Sequence, residues 1–293
     1  MNLLIHKKFI YMNQKRNSYR NYYKKGGDIL KNVYVSFAEK SFRQRFVYRA
    51  NSYFYIISSI LRLSILISLW TALLGEGQVV KGTTLEDMTA FVVINMVVLS
   101  MTRSNIGNKL AQRFEDGTIA TDFIRPVSLK YYLISEQMGE NLYSAVFHII
   151  PVCVISVLFL QFRWPDEPWQ WAMFALTLLF GMWLVYQIHY VVGLLVFWLK
   201  TSMYTNWMLS ALMELFAGSV VPLWFYPDLL YKLAMLLPFR FISFEPLAIF
   251  LGKTTLAASV QVAAMQLVWI FVLLLLEKAV WRQVQKKVII QGG

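Results

Sequence analysis

The residues with chemistry to offer are few and lie in unusual places. "RFEDGTIATDFIRPVS", running from Arg113 to Ser128, carries two basic and three acidic residues between two long apolar runs. Arg62 sits inside "SSILRLSILIS" and Glu214 inside "SALMELFAG", each the one charged group of a greasy stretch. Charges in such stretches are expensive, so the two either pair, within one chain or across two copies, or one of them lines a polar path. Asn95, Gln187 and His189 are further polar groups among apolar neighbours, suited to helix–helix hydrogen bonds or to a path lining. The patterns of hydrolytic enzymes are missing: there are three histidines, with no HExxH and no GxSxG. The one cysteine, Cys153, can form neither a disulfide within the chain nor a cysteine-based metal site, and no metal ligand set is expected. There is no GxxxxGK[ST] loop to hold nucleotide phosphates.

The elements that position these residues follow from composition. Of the 293 residues 58% are hydrophobic and 15% charged, against about a quarter charged in soluble domains. Apolar runs are expected to cross a membrane over 54–74, 88–101, 141–160, 169–199, 203–221 and 256–276. The net charge of +12 is concentrated: residues 1–50 hold twelve Lys/Arg and two acids. A basic block beside a first span reads as a cytoplasmic retention signal with affinity for anionic lipid, and not as a nucleic-acid surface. The apolar patch in "MNLLIHKKFIYMNQKR" is too short for a signal peptide, so the first span is expected to direct insertion.

The expected fold is therefore an all-α membrane protein of six transmembrane helices. Residues 1–30 are a basic segment with little regular structure expected. Residues 31–53 form an amphipathic interfacial helix with Phe37, Phe42 and Phe46 on one broad face, the alternative being a helix packed on a soluble partner. Residues 54–293 form the six-span domain. Lys/Arg counts in the loops place both termini in the cytoplasm of a multi-pass protein of the cell membrane. Pro151 is expected to kink the third span. After the fifth span, Pro222, Pro227, Pro238 and Pro246 cut an apolar external segment into pieces too short to span. They suit a re-entrant helical hairpin or a helix lying flat on the outer surface.

On this topology the stretch from Arg113 is cytoplasmic. Leu110, Ala111 and Phe114 have helical spacing, Gly117 is a natural stop, and Pro126 ends a second short turn. Phe114, Ile119, Phe123 and Ile124 then remain apolar beside Arg113, Glu115 and Asp116. They serve either as knobs for a partner's cleft, with the charges setting register, or as packing under the chain's own helix ends.

"GNKLAQRFEDGTIATDFIRPVSLKYYLISEQMGENL" resembles the segment after the second span of ABC-2-type exporter permeases, with Gly117, Pro126, Ser128, Tyr132 and Gly139 at the family's spacings. Ile119 and Phe123 stand where leucines are usual. "FAGSVVPLWFYPDLL", "LLPFRF" and "EPLAIFLG" resemble the signature after the fifth span, carried by Gly218, Pro222, Pro227, Pro238, Phe239 and Pro246. The resemblance covers roughly residues 35–290. It implies a half-transporter that binds no cofactor itself, with ATP and Mg on two separate cytoplasmic P-loop ATPase subunits. The region of Leu110, Arg113, Phe114, Glu115, Asp116, Gly117, Ile119 and Phe123 would be the coupling helix. Two ATPases need two handles, so a second permease subunit, identical or a paralogue, is implied. The cargo would be amphipathic or hydrophobic: a peptide, an antibiotic or a lipid-like molecule. The rival readings are an ion-gradient transporter, for which Glu214 is the one acid at a span centre, and an intramembrane enzyme.

Overall fold

The computed structural model describes residues 27–75, 79–125, 127–160, 164–199 and 203–291. Most of the basic segment expected over 1–30 lies outside them. The described residues are helical, with no strand among them. In chain order the helices are α1 (Gly27–Arg45), α2 (Arg49–Leu74), α3 (Leu85–Thr102), α4 (Ile106–Glu115), α5 (Ile119–Ile124) and α6 (Leu129–Ser144). They continue with α7 (Ile150–Phe159), α8 (Pro168–Gly193), α9 (Val196–Leu199), α10 (Met203–Phe216), α11 (Asp228–Leu236), α12 (Phe244–Phe250) and α13 (Leu256–Gln291).

Five stretches are long and apolar enough to cross a membrane: Ser52–Leu74, Leu85–Glu115, Leu129–Phe159, Pro168–Leu199 and Leu256–Lys286. The expected fifth span over 203–221 is not among them. It is helical only as the 14 residues Met203–Phe216, about 21 Å at a helical rise of about 1.5 Å per residue. The second and fourth stretches form the centre, with 67% of each apolar window buried, whereas the first has 11% buried.

Local chemistry sets the helix ends. Thr84 and Asp87 form a capping box that starts α3 three residues earlier than the hydrophobic run suggested. The helix opens at Arg103, and Asn141 takes up the exposed carbonyls: its Nδ2 donates to Met101 O at 2.7 Å and Arg103 O at 2.8 Å. The Asn105 N–H donates to Gln137 Oε1 at 2.8 Å. In the third span the expected kink takes the form of a π turn, Ala145–Ile149, just before Pro151. Proline has no N–H and its ring would strike the carbonyl four residues back, so a wider turn absorbs both faults.

The amphipathic helix over 31–53 is realised as α1, a 3-10 turn Phe46–Tyr48 and the start of α2. Its aromatic face is turned onto the chain's own third span. Phe37 meets Tyr132 edge-on at 4.6 Å, and Phe46 meets Tyr143 at 5.1 Å and Phe147 at 4.9 Å. Gly139 makes this approach possible, because a Cβ there would lie 2.0 Å from the Ala38 carbonyl oxygen. At the centre, α4 crosses α8 through two glycines: a Cβ on Gly193 would sit 2.9 Å from Gly107 Cα.

Residues 217–253 fold back among the long helices. The Phe244 N–H donates to Ala217 O at 3.0 Å, joining the end of α10 to the start of α12. Asn95, ten residues along α3 from Leu85, donates to Ser219 O and accepts from Ser243 Oγ at 2.9 Å. Gln266, ten residues along α13 from Leu256, donates to Phe241 O at 2.9 Å and Thr177 O at 2.8 Å. The junction of α10 and α12 thus lies about 15 Å along both neighbouring helices.

Gly139→Val is expected to push α1 off α6, at a cost of about 1–3 kcal/mol, the usual range for overpacking. Thermal unfolding in detergent should fall by several degrees, whereas Met138→Ala on the exposed side should leave it unchanged.

Candidate functional site

The Arg113 region is built from α4 outward. Ile106, Leu110 and Ala111 are buried against the core, which turns Lys109, Gln112 and Arg113 toward the opposite side. Gly117, at φ +70°, ends the helix as the sequence suggested, since an L residue rarely adopts that backbone. α5 then returns Asp122 to Arg113.

A chain of charges ties this turn to its neighbours. Arg113 Nη1 donates to Asp122 Oδ2 at 2.8 Å, and Nη2 donates to the Tyr132 hydroxyl at 2.9 Å. The Tyr132 hydroxyl donates to Glu136 Oε1 at 2.6 Å. Arg125 pairs with Asp122 at 3.1 Å. Lys109 bridges Glu136 at 3.5 Å and Glu140 at 3.0 Å, and Glu140 receives Arg45 at 2.7 Å. The chain therefore runs from α1 through α6 and α4 to α5, around a polar cleft of about 530 Å³. Arg113 also lies over the Tyr132 ring at 4.8 Å. Asp122 is only 5% exposed, so its carboxylate depends on the two arginines for compensation.

Leu110, Phe114 and Ile119 of the motif point inward. Leu110 and Ile119 belong to the core, and Phe114 packs edge-on against Phe197 at 4.9 Å. The Phe123 side chain lies outside the described residues. Among the described side chains, what the motif presents outward is polar: Gln112, Glu115, Asp116, Gly117, Thr118, Thr121 and Arg125 are exposed.

The residues put forward for a polar path do not share one opening in the single chain. Asn95 is 4% exposed and holds the α10–α12 junction. Gln187 is fully buried with neither amide atom bonded, and His189 Nδ1 is 2.9 Å from Val185 O. Arg62 and Glu214 are both exposed. Among the described residues neither has an ion-pair or hydrogen-bond partner, so the structure does not bring them together within one chain.

In the 217–253 segment the prolines act as punctuation. Pro222 and Pro227 precede the 3-10 turn Leu223–Phe225 and α11, Pro238 opens the turn Pro238–Phe241, and Pro246 sits in the first turn of α12. At those positions a missing N–H breaks no ladder bond. Gly218 turns the chain at φ +64°. Phe239 and Pro238 line an apolar groove of about 260 Å³ with Ile188, Met208, Leu212 and Leu273.

Three features escaped the sequence reading. Lys130 pairs with Glu277 among the Tyr131, Trp183 and Tyr190 rings, joining α6, α8 and α13. Lys253 binds Asp87 at 2.6 Å and the Gly82 carbonyl at 2.6 Å, tying the end of α12 to the start of α3. Asn141 seals the break at Arg103. Such partners lie over a hundred or some tens of residues apart, and only the i−4 spacing of Gln137 and Asn141 gave a local signal.

The sequence model of the family described as ABC-2 family transporter protein matches residues 53–292. No match is found among curated proteins. The long apolar helices, the broken segment after α10 and the match over most of the chain agree, and the protein belongs to the ABC-2 transporter family as a multi-pass membrane permease of an ABC transporter.

Proposed function

We propose that the chain is the permease half of an ATP-driven exporter whose turn at α4–α5 is the handle gripped by a cytoplasmic P-loop ATPase. The observation that carries this reading is the charge chain linking Arg113 and Asp122 to Glu136, Lys109, Glu140 and Arg45. Such cross-linking makes the turn move with the inner ends of α6 and α1 instead of flexing alone. A push on its polar rim, Glu115, Asp116, Thr118 and Arg125, is then delivered to the spans as a rigid-body motion. The apolar residues Leu110, Phe114 and Ile119 anchor the handle to its own helices, and the rim sets the register with the ATPase. ATP and Mg belong to that partner. Two ATPases act on two permease subunits, each supplying one handle.

In this reading both termini are cytoplasmic, and the fifth crossing is made in two pieces. α10 enters from the inner side, α12 completes the distance to the outer side, and the Ala217–Phe244 bond joins them. Fourteen and seven residues together cover about 31 Å, the thickness of a hydrocarbon core. The segment between them, with α11, is the re-entrant hairpin. α1 lies at the inner membrane surface with its basic side toward lipid headgroups. The apolar groove beside Phe239 supports a hydrophobic or amphipathic cargo.

Asp122→Ala should leave Arg113 poorly compensated and loosen the handle, lowering cargo-stimulated ATP hydrolysis at least about tenfold while the ATPase still co-purifies. Unchanged stimulation in reconstituted nanodiscs rules out a rigid linkage through Asp122. Reversing the rim with Glu115→Arg and Asp116→Arg should instead weaken ATPase association, by about tenfold, and more steeply at low ionic strength. Retention of the ATPase by this variant, measured by pull-down, would place the docking surface elsewhere.

A further inference from the structure

We propose that Arg62 of one chain and Glu214 of a second copy form an ion pair, repeated by symmetry, across a two-fold interface built from α2 and α10. The proposal rests on the crossing directions given above for these two helices.

Arg62 and Glu214 are each the one charged group on a surface that is mostly apolar. α2 is the least buried of the long helices, with 11% of its apolar window covered against 28% for the third and last. Around Arg62 it exposes Ile57, Leu61, Ile65 and Leu69. α10 exposes Trp207 on the same face, two turns before Glu214. A charge facing acyl chains with no partner is unfavourable, and among the described residues neither charge has a partner inside its own chain.

Depth and flank agree. Arg62 lies ten residues from Ser52 and Glu214 eleven residues from Met203. With both helices rising from the inner side, each charge is about 15–17 Å up its helix. The two helices also flank the same element. α2 packs on α3, while the chain just after α10 is held to α3 through Asn95 and Ser219. Near the end of α2, Trp70 also meets Phe225 of the segment that follows α10, with rings 5.3 Å apart. One flank thus carries a positive and a negative group at one level. A two-fold axis through that flank sets each against its opposite in the second copy, so one patch is its own complement. Both charges then leave the lipid together, whereas pairing with a different protein would require that protein to supply both signs at this depth.

The test uses cysteine cross-linking of the full chain in membranes. Cys153 is the one native cysteine, so Cys153→Ser gives a clean background. Two differently tagged chains, one with Arg62→Cys and one with Glu214→Cys, are co-expressed and treated with a bifunctional maleimide of about 10 Å reach, suited to positions joined by long side chains rather than by a disulfide. A cross-linked species carrying both tags is expected. Its absence, or cross-linking confined to chains carrying the same tag, overturns the proposal. Charge reversal supplies the second arm, read as dimer fraction in nanodiscs with no ATPase or cargo present. Arg62→Glu and Glu214→Arg should each lower that fraction about tenfold, and the double variant should recover it to within about twofold. If dimer fraction is unmoved by the single reversals, the pairing is wrong. Because no arm requires the ATPase, failure here leaves the handle at α4–α5 standing, and failure of the handle leaves this interface standing.

Discussion

In a hydrocarbon surrounding, each main-chain N–H and C=O must find a partner within the protein, and this demand governs every place where a long helix is interrupted. The protein answers with side-chain amides. Asn141 and Gln137 serve the break at 101–105, and Asn95 and Gln266 serve the fold-back at 217–243. Each amide reaches from a helix packed alongside to main-chain atoms at an interruption. The interruptions are thereby held in place as firmly as the helices, so irregular backbone can exist at depth without exposure to lipid. Substituting any of these amides by an aliphatic residue would strand a buried carbonyl or N–H, a loss of about 1–3 kcal/mol each.

The same logic of shared partners runs through the charged region below. Asp122, Glu136 and Glu140 each receive more than one cation or hydroxyl. Single exposed pairs contribute little, but a connected chain restricts several helices at once. Mechanical stiffness, more than net stability, is what this arrangement supplies. On the function proposed above, it is what a permease needs where an ATPase subunit would push on it.

Much of this was legible from residue order. The long spans, the stop at Gly117, the distortion at Pro151 and the breaks at Pro222, Pro227, Pro238 and Pro246 follow from local chemistry that acts within one or two turns. Two things were not. The run over 203–221 is largely apolar, so composition alone extended the helix past Phe216, whereas Gly218 and the pull of Asn95 and Ser243 end it. The inward turn of Leu110, Phe114 and Ile119 depends on the cavity offered by α6, α8 and Phe197, and nothing in the motif itself distinguishes a knob for a partner from an anchor for its own helix. Lys130 and Glu277 illustrate the general limit, since partners 147 positions apart leave no periodic trace.

The π turn at Ala145–Ile149 carries a consequence for the third span as a whole. One surplus residue in an α-helix rotates everything beyond it by about 100°. The half before it directs Asn141 and Tyr143 toward the interior, and the half after it directs Val152 and Ser156 there. The span is two helices in angular phase though one in appearance, so gaining or losing a single residue above Ser144 would swing the outer half's lipid-facing side inward while the inner half stayed where it is.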